Sequence, residues 1–239
     1  MGLFSRFTEK KYCAICGTEL GLFGKVKLAD GLLCKECSGR LSPYFEGRRQ
    51  STVEQIREQL AYREENKQAV AAFNPTRTLG AGTKVYLDED NGKVIVTQSS
   101  NWRAANPDVF DYEQITGCDL TIDEDRDEVT YKDAEGNEKS YNPPRYTYEY
   151  DFFITIHLNH PYASKIRFKV NQNKIENRGS VEYRNAESMA SEIKEKLTLL
   201  RRGVRDAKAP KAAVQCPHCM ATTVPDAAGR CEYCGGVIS

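Results

Sequence analysis

What the chain lacks is, first, net charge: 34 Lys and Arg stand against 34 Asp and Glu over 239 residues. A molecule without a dominant sign has no general field drawing it to nucleic acid or to an anionic membrane. Long apolar runs are missing too. No stretch approaches the ~20 residues of a membrane span. The opening Met1 to Lys11 is interrupted by Arg6, Glu9, Lys10 and Lys11, so no run of signal-peptide length is visible there and the cytoplasm is the expected compartment. Gly2 invites an N-myristoyl group, but the motif needs Ser or Thr where Arg6 stands. Leu3, Phe4 and Phe7 form a small apolar tip that is expected to dock on the adjacent module, since seven residues bury too little area to anchor a membrane alone.

Histidine is scarce, and the three present do not converge. His157 and His160 are three apart at a strand end, which puts them on opposite faces and excludes a shared metal. Calcium loops are missing as well. Neither Asp88-Glu89-Asp90 nor Asp123 to Glu128 follows the spacing of such a loop, and both acidic clusters are expected at solvated hairpin turns.

Cysteine, by contrast, is abundant and patterned. Cys13, Cys16, Cys34 and Cys37 form two Cys-x-x-Cys pairs separated by 17 residues, and Cys216, Cys219, Cys231 and Cys234 form two more separated by 11. Two thiolates three residues apart grip one ion from a tight turn, and a second turn closes a tetrahedron of four sulfurs. Two structural zinc ions are therefore expected, with rubredoxin-like iron as the chemical competitor. Four sulfurs leave no open position for water or substrate, so both sites are expected to be non-catalytic. His218 lies inside a pair and is expected as a turn residue, because four sulfurs are already available. Cys118, the ninth cysteine, sits between Gly117 and Asp119 in a predicted strand and reads as a buried filler, with no base tied to it by spacing.

At 40% hydrophobic and 28% charged residues the chain can bury an ordinary core, so disorder is at most local. Residues 1–47 form an N-terminal zinc module, with an Asp30-Gly31 turn between Val26-Leu28 and Leu32-Leu33. A module of this size depends on metal, since structural zinc supplies on the order of 10 to 16 kcal/mol in small zinc peptides. Residues 48–77 are a helical connector. Ser51 with Glu54 reads as an N-terminal capping box, the helix runs from about Thr52 to Phe73, and its polar middle from Arg63 to Gln68 implies a bridging helix or a break near Tyr62. Residues 78–205 are an antiparallel β domain. Lys84–Asp88 and Lys93–Gln98 flank Asp90-Asn91-Gly92, and further strands are expected at 115–122, 128–132 and 165–170. Tyr146 to Leu158 alternates over 13 residues with its even positions facing a core, and a bulge or bend is expected near Asp151. A helix from about Ala186 to Arg205, striped by Met189, Ile193, Leu197 and Leu200, lids the sheet. Residues 206–215 are a flexible tether and 216–239 a C-terminal zinc ribbon.

Charge is uneven along this plan: Lys84 to Asp151 holds 7 basic and 17 acidic residues, while Arg201 to Lys211 holds five basic residues and only Asp206. A nucleic-acid contact, if there is one, falls to that tether and the ribbon rather than the β domain.

Several stretches resemble a known family. Cys13-Ala14-Ile15-Cys16-Gly17, Leu20-Gly21-Leu22, Lys25-Val26-Lys27-Leu28, Asp30-Gly31 and Cys34-Lys35-Glu36-Cys37 resemble the four-cysteine domain of unknown function that opens a family of uncharacterised bacterial proteins. The likeness extends through Ser51-Thr52-Val53-Glu54 and Pro143-Pro144-Arg145-Tyr146. Cys216-Pro217-His218-Cys219 and Cys231-Glu232-Tyr233-Cys234-Gly235-Gly236 look like a zinc ribbon, with Met220 where such a ribbon has glycine. The strand-then-helix order of the middle is similar to pleckstrin-homology-like domains, whose lipid-binding members carry a basic first hairpin loop; here that loop is Asp88, Glu89 and Asp90. The resemblance implies zinc and architecture, and the absence of a catalytic constellation adds the expectation of a non-enzymatic adaptor. Its partner is expected to be a protein or a second copy, with nucleic acid as the alternative.

Overall fold

The structure, a computed structural model, describes residues 10–21, 24–208, 213–226 and 229–238. Leu3, Phe4 and Phe7 lie outside the described residues. The chain falls into two compact units, Met1–Arg201 and Arg202–Ser239.

The first unit begins with two small hairpins, β1 (Lys11–Tyr12) with β2 (Glu19–Leu20) and β3 (Val26–Lys27) with β4 (Leu32–Leu33), followed by the short helix α1 (Lys35–Gly39). A long helix α2 (Val53–Ala72) comes next and is unbroken at Tyr62. Its capping box is Thr52 with Gln55, one residue beyond the expected Ser51 and Glu54. Ser51 is held elsewhere: its hydroxyl donates to Gly47 O and its carbonyl accepts from Ala29 N. The helix ends with Phe73 as its extended C-cap, just before Asn74-Pro75, where the proline keeps Asn74 out of helical angles.

The bridging-helix expectation needs a correction, because α2 is packed along its length. Ile56 and Leu60 share one core cluster with Cys13, Leu28, Leu33, Cys37 and Leu41. At the other end Val70 packs with Phe73, Tyr86, Ile95 and Trp102. Between them Gln59, Arg63 and Asn66 are buried on the same face, at the three- and four-residue spacing of a helical stripe. The stripe is polar because what it meets is backbone and a carboxylate. Arg63 Nη1 donates to Asp108 Oδ1 at 2.6 Å and Nη2 to Asn106 O. Asn66 donates to Pro107 O and accepts from Val109 N, at 2.8 and 3.0 Å. The other Asp108 oxygen accepts from the Ser42 hydroxyl at 2.6 Å, and Gln59 Oε1 accepts from Ser42 N.

Two antiparallel sheets follow. The first, in order β5-β6-β7-β8, comprises β5 (Arg77–Leu79), β6 (Lys84–Asp88), β7 (Lys93–Thr97) and β8 (Val109–Asp111), with α3 (Trp102–Ala105) inserted before β8. Both its faces are buried. The cross-strand pair Tyr86 and Ile95 packs on Trp102 and the end of α2, while Val85, Leu87, Val94 and Val96 are buried on the opposite face. Asp88, fully buried, closes the β6–β7 turn by accepting from the N–H groups of Asn74 and Asn91.

The second sheet, in order β11-β10-β9, comprises β9 (Ile115–Lys132), β10 (Glu138–His160) and β11 (Ala163–Lys169). The even positions of β10 are buried from Tyr150 through Phe152, Ile154 and Ile156 to Leu158, as their alternation predicts. The long helix α4 (Val181–Lys208) buries Tyr183, Ala186, Ala190, Ile193 and Leu197. Tyr183 meets Tyr150 and Phe152 edge-on, at centroid distances of 5.3 and 5.0 Å, and Lys196 pairs with Glu89 at the β6–β7 turn.

Two expectations about this sheet are corrected. Asp123 to Glu128 is not a turn: it lies within β9, paired residue for residue with Asp151 back to Tyr146, and the turn falls at Asp133–Asn137. The acidic run survives in a strand because the β9–β10 ribbon extends past the core there, leaving most of 121–147 exposed on both faces. No register shift occurs at Asp151. The shifts lie between Ser140 and Arg145, where Pro143 and Pro144 cannot donate to a ladder, and between His157 and Leu158.

Of the stretch expected as a tether, 206–208 continue α4, 209–212 lie outside the described residues, and Val214–Gln215 form β12. This strand pairs with β13 (Thr222–Thr223), and an isolated bridge joins Arg230 to Val237. No helix among the described residues is long and apolar enough to cross a membrane.

Replacing Asp108 by Ala leaves the Arg63 charge buried without a partner. Urea denaturation of the metal-loaded protein is expected to show a loss of ~3–5 kcal/mol, most of it recovered by the double change Arg63→Met with Asp108→Leu.

Candidate metal centres

Each cysteine pair sits where the local backbone turns back on itself. Cys13 and Cys16 lie on the loop of the β1–β2 hairpin; Cys34 and Cys37 lie at the end of β4 and within α1. The two halves are joined by Ala14 N donating to Leu32 O and by Cys34 N donating to Cys13 Sγ at 3.4 Å. Cys34 is also the N-cap of α1, its sulfur accepting from Cys37 N at 3.3 Å.

Three of the four pairs in the chain share one device. Four residues after the first cysteine of the pair, Gly17, Met220 and Gly235 take positive φ values of 73°, 63° and 71°. Each donates its N–H to the carbonyl of that cysteine, Cys13, Cys216 or Cys231, at 2.8 to 2.9 Å. Glycine adopts this left-handed turn freely, whereas methionine is strained in it. The turn at Met220 forms despite that strain, with a similar φ and the same hydrogen bond as its glycine counterparts. At the fourth pair α1 itself serves, with Ser38 N donating to Cys34 O.

Within each quartet the four sulfurs lie within 4.8 Å of one another. Cys16 and Cys34 are 3.7 Å apart, Cys216 and Cys234 3.6 Å, and Cys219 and Cys231 3.7 Å. A metal–sulfur bond of ~2.3 Å in a tetrahedron places sulfurs ~3.8 Å apart, so both quartets are suited to a metal ion. Their protonation fits the same reading. The Thr18 hydroxyl, 3.2 Å from Cys16 Sγ, is the main reason the Cys16 thiol is lowered to about 6. Burial and the neighbouring sulfurs push Cys37 well above the usual thiol range. Burial opposes ionisation at Cys216, but the N–H groups of Cys219 and His218 outweigh it and bring the thiol to about 6. Four thiolates this close need a cation among them, and each quartet holds one that ionises readily and one that resists.

Residues 11–59 match a domain of unknown function, DUF4428. The matched stretch carries the first quartet and ends inside α2, beyond Ile56, whose side chain is part of the same core cluster as Cys13 and Cys37. No curated protein matches the chain, and no solved structure does. The second quartet lies outside the DUF4428 match.

Among the described residues no histidine or carboxylate joins either quartet. The imidazole of His218 is turned to Val237 O, 3.2 Å away, while its backbone N–H donates to Cys216 Sγ. Cys118 is opposite Ile156 in the β9–β10 register and His157 is opposite Gly117, so Cys118 and His157 project from opposite faces of the sheet. Burial first, and then the Asp119 carboxylate, push the Cys118 thiol up to about 12. His157 pairs with Asp119 at 2.8 Å on an exposed face. His160 stands at the end of β10, next to the turn into β11. It is half-buried among Tyr62, Phe110 and Tyr162, with ring centroids 5.2 to 5.8 Å away, and burial lowers its pKa below the usual imidazole value. Spacing missed one charged feature: Lys25, Lys27, Arg48 and Arg49 line a single cleft of the DUF4428 module. The signals were Lys-x-Lys on a strand and Arg-Arg after Gly47, some twenty residues apart.

Two outcomes test this geometry. Cys34→Ser is expected to halve the bound metal, from two ions to one, by elemental analysis, since the second quartet shares no residue with the first. Met220→Gly relieves the strained turn without losing packing, because Met220 is 65% exposed. It is expected to raise the resistance of the ribbon to chelator-driven unfolding by about 1 kcal/mol.

Proposed function

We propose that this protein is a non-enzymatic adaptor whose cysteine quartets each hold one structural zinc ion, and whose β domain presents a docking surface to a protein partner in the cytoplasm. The observation that carries this reading is the closure of both quartets: four sulfurs at tetrahedral separations with no further ligand group among the described residues. Zinc bound in this way would fix the fold of small modules and leave no coordination position for substrate.

The β domain is read as pleckstrin-homology-like, a scaffold used widely for docking. Its support is the order of four antiparallel strands, three antiparallel strands and a closing helix. The docking surface is assigned to the β9–β10 ribbon. Residues 123–149 carry nine acidic and four basic side chains. Tyr131 and Tyr146 are exposed there at 42% and 39%, and Arg126 and Arg145 lie over the rings of Tyr146 and Tyr141. Aromatic residues that remain exposed on a paired, ordered ribbon give contact area at small entropic cost, which suits recognition of a protein.

The test has two arms. Elemental analysis of the native protein is expected to find two zinc atoms per chain, and a different metal or fewer atoms removes the zinc reading. Replacing 129–145 by Asn-Gly closes the ribbon at the Glu128–Tyr146 pair. The melting temperature is expected to change by no more than a few degrees, while capture of protein partners from native cytoplasm is lost; undiminished capture removes the docking reading. Salt-sensitive binding of DNA that disappears on deleting residues 201–239 would instead support nucleic-acid recognition through the ribbon and its basic approach.

A further inference from the structure

We infer that the DUF4428 module carries a binding site for a small ligand bearing two or more phosphate groups, in the cleft lined by Lys25, Lys27, Arg48 and Arg49. The cleft is half open to solvent, has a volume of about 580 Å³ and is completed by Ser38 and by the apolar residues of β3 and its flank. That volume is in the range of small-molecule sites and too large for a single inorganic ion.

Two separate stretches bring the cations together. Lys25 and Lys27 come from β3 and its approach, and Arg48 and Arg49 from the turn that precedes α2. The stretches are joined by Ala29 N donating to Ser51 O at 2.9 Å, and the turn is closed by Gln50 N and Ser51 N donating to Gly47 O. Arg48 is held in place by donating to Ser42 O at 2.6 Å, which fixes its guanidinium and leaves its charge uncompensated.

None of the four cations forms an ion pair among the described residues, and three acids close to them in sequence make their hydrogen bonds to other groups. Asp30 accepts from Val53 N at 2.7 Å, Glu46 from the Ser164 hydroxyl at 2.9 Å, and Glu54 pairs with Arg57 at 3.3 Å. A metal-loaded quartet would carry about −2. Residues 11–59 hold eight Lys and Arg against six Asp and Glu, so the loaded module would be close to neutral as a whole, with four of its cations concentrated at the cleft. Like charges gathered at one concavity repel each other unless an anion fills it, and guanidinium and ammonium groups are the side chains best suited to phosphate oxygens. The inference needs only the fold of this module and is independent of the docking role assigned to the ribbon.

Isothermal titration of the full metal-loaded chain with inorganic tripolyphosphate at low salt tests it. Binding is expected, stronger than to orthophosphate, and weaker as salt rises. The exposed side chains are neutralised by Lys25→Gln with Lys27→Gln, and separately by Arg49→Gln. Each cation removed is expected to weaken binding about tenfold. The charge-preserving pair Lys25→Arg with Lys27→Arg is expected to bind like the unaltered protein, which separates lost charge from lost fold. Vesicles of phosphatidylcholine with and without phosphatidylinositol bisphosphate identify the source: retention that tripolyphosphate competes away assigns a lipid headgroup, and tripolyphosphate binding without retention assigns a free ligand. No binding at millimolar tripolyphosphate, binding indifferent to the Gln variants, or binding of duplex DNA alone overturns the proposal. A chain holding two metal atoms but binding no tripolyphosphate would sink this inference and leave the zinc reading standing.

Discussion

One buried carboxylate ties the middle of α2 to the loop before β8 and the loop after α1. Asp108 is almost fully buried, and its two oxygens are taken by Arg63 on α2 and Ser42 of the loop that follows α1. A charge in that position is tolerable only with its partners complete, so the loop before β8, the middle of α2 and the loop after α1 are fixed by one set of hydrogen bonds. Apolar packing on either side of this node could accept small slips of the helix. The fork of a guanidinium on a carboxylate and a backbone carbonyl cannot, and it sets the register of α2 against the sheet.

Around that node the two ends of α2 serve different cores. The first turns cover the sulfur-centred cluster of Cys13 and Cys37, and the last turn covers the aromatic cluster of Trp102, Tyr86 and Phe73. The small hairpins of the first module contribute few buried side chains beyond Leu28 and Leu33, so the segment leans on the flank of α2 and on a sulfur quartet suited to a metal ion for what it cannot bury by itself. The ribbon at the chain's far end has still less apolar material, and its turns rely on left-handed positions, one of them held by methionine.

The groups with chemical potential are dispersed. The raised Cys118 thiol and His157 stand on opposite faces of one sheet, and the His160 ring is enclosed by aromatic neighbours. What the surface does concentrate is charge, acidic along the projecting β9–β10 ribbon and basic in the cleft of the first module. A neutral total conceals both, because the two signs lie far apart in sequence.

The sequence alone determined the two cysteine quartets, the β3–β4 and β6–β7 hairpins, the buried alternation from Tyr150 to Leu158 and the presence of two long helices. In each case the signal is local: a fixed ligand spacing, Asp-Gly or Asn-Gly between β-prone residues, an apolar period of two, or a cap and an apolar stripe at helical spacing. Only the tertiary structure decided the rest. Arg63 and Asn66 read as solvent-facing because polarity usually means exposure, and nothing near them in the chain announces Asp108 some forty residues on. Asp123 to Glu128 read as a turn because a strand with acids on both faces has no alternation to recognise; it is a strand because β10 supplies the hydrogen bonds. The cleft of Lys25, Lys27, Arg48 and Arg49 is likewise a product of folding, made when the backbone of Ala29 meets that of Ser51 and brings together charges that spacing keeps apart.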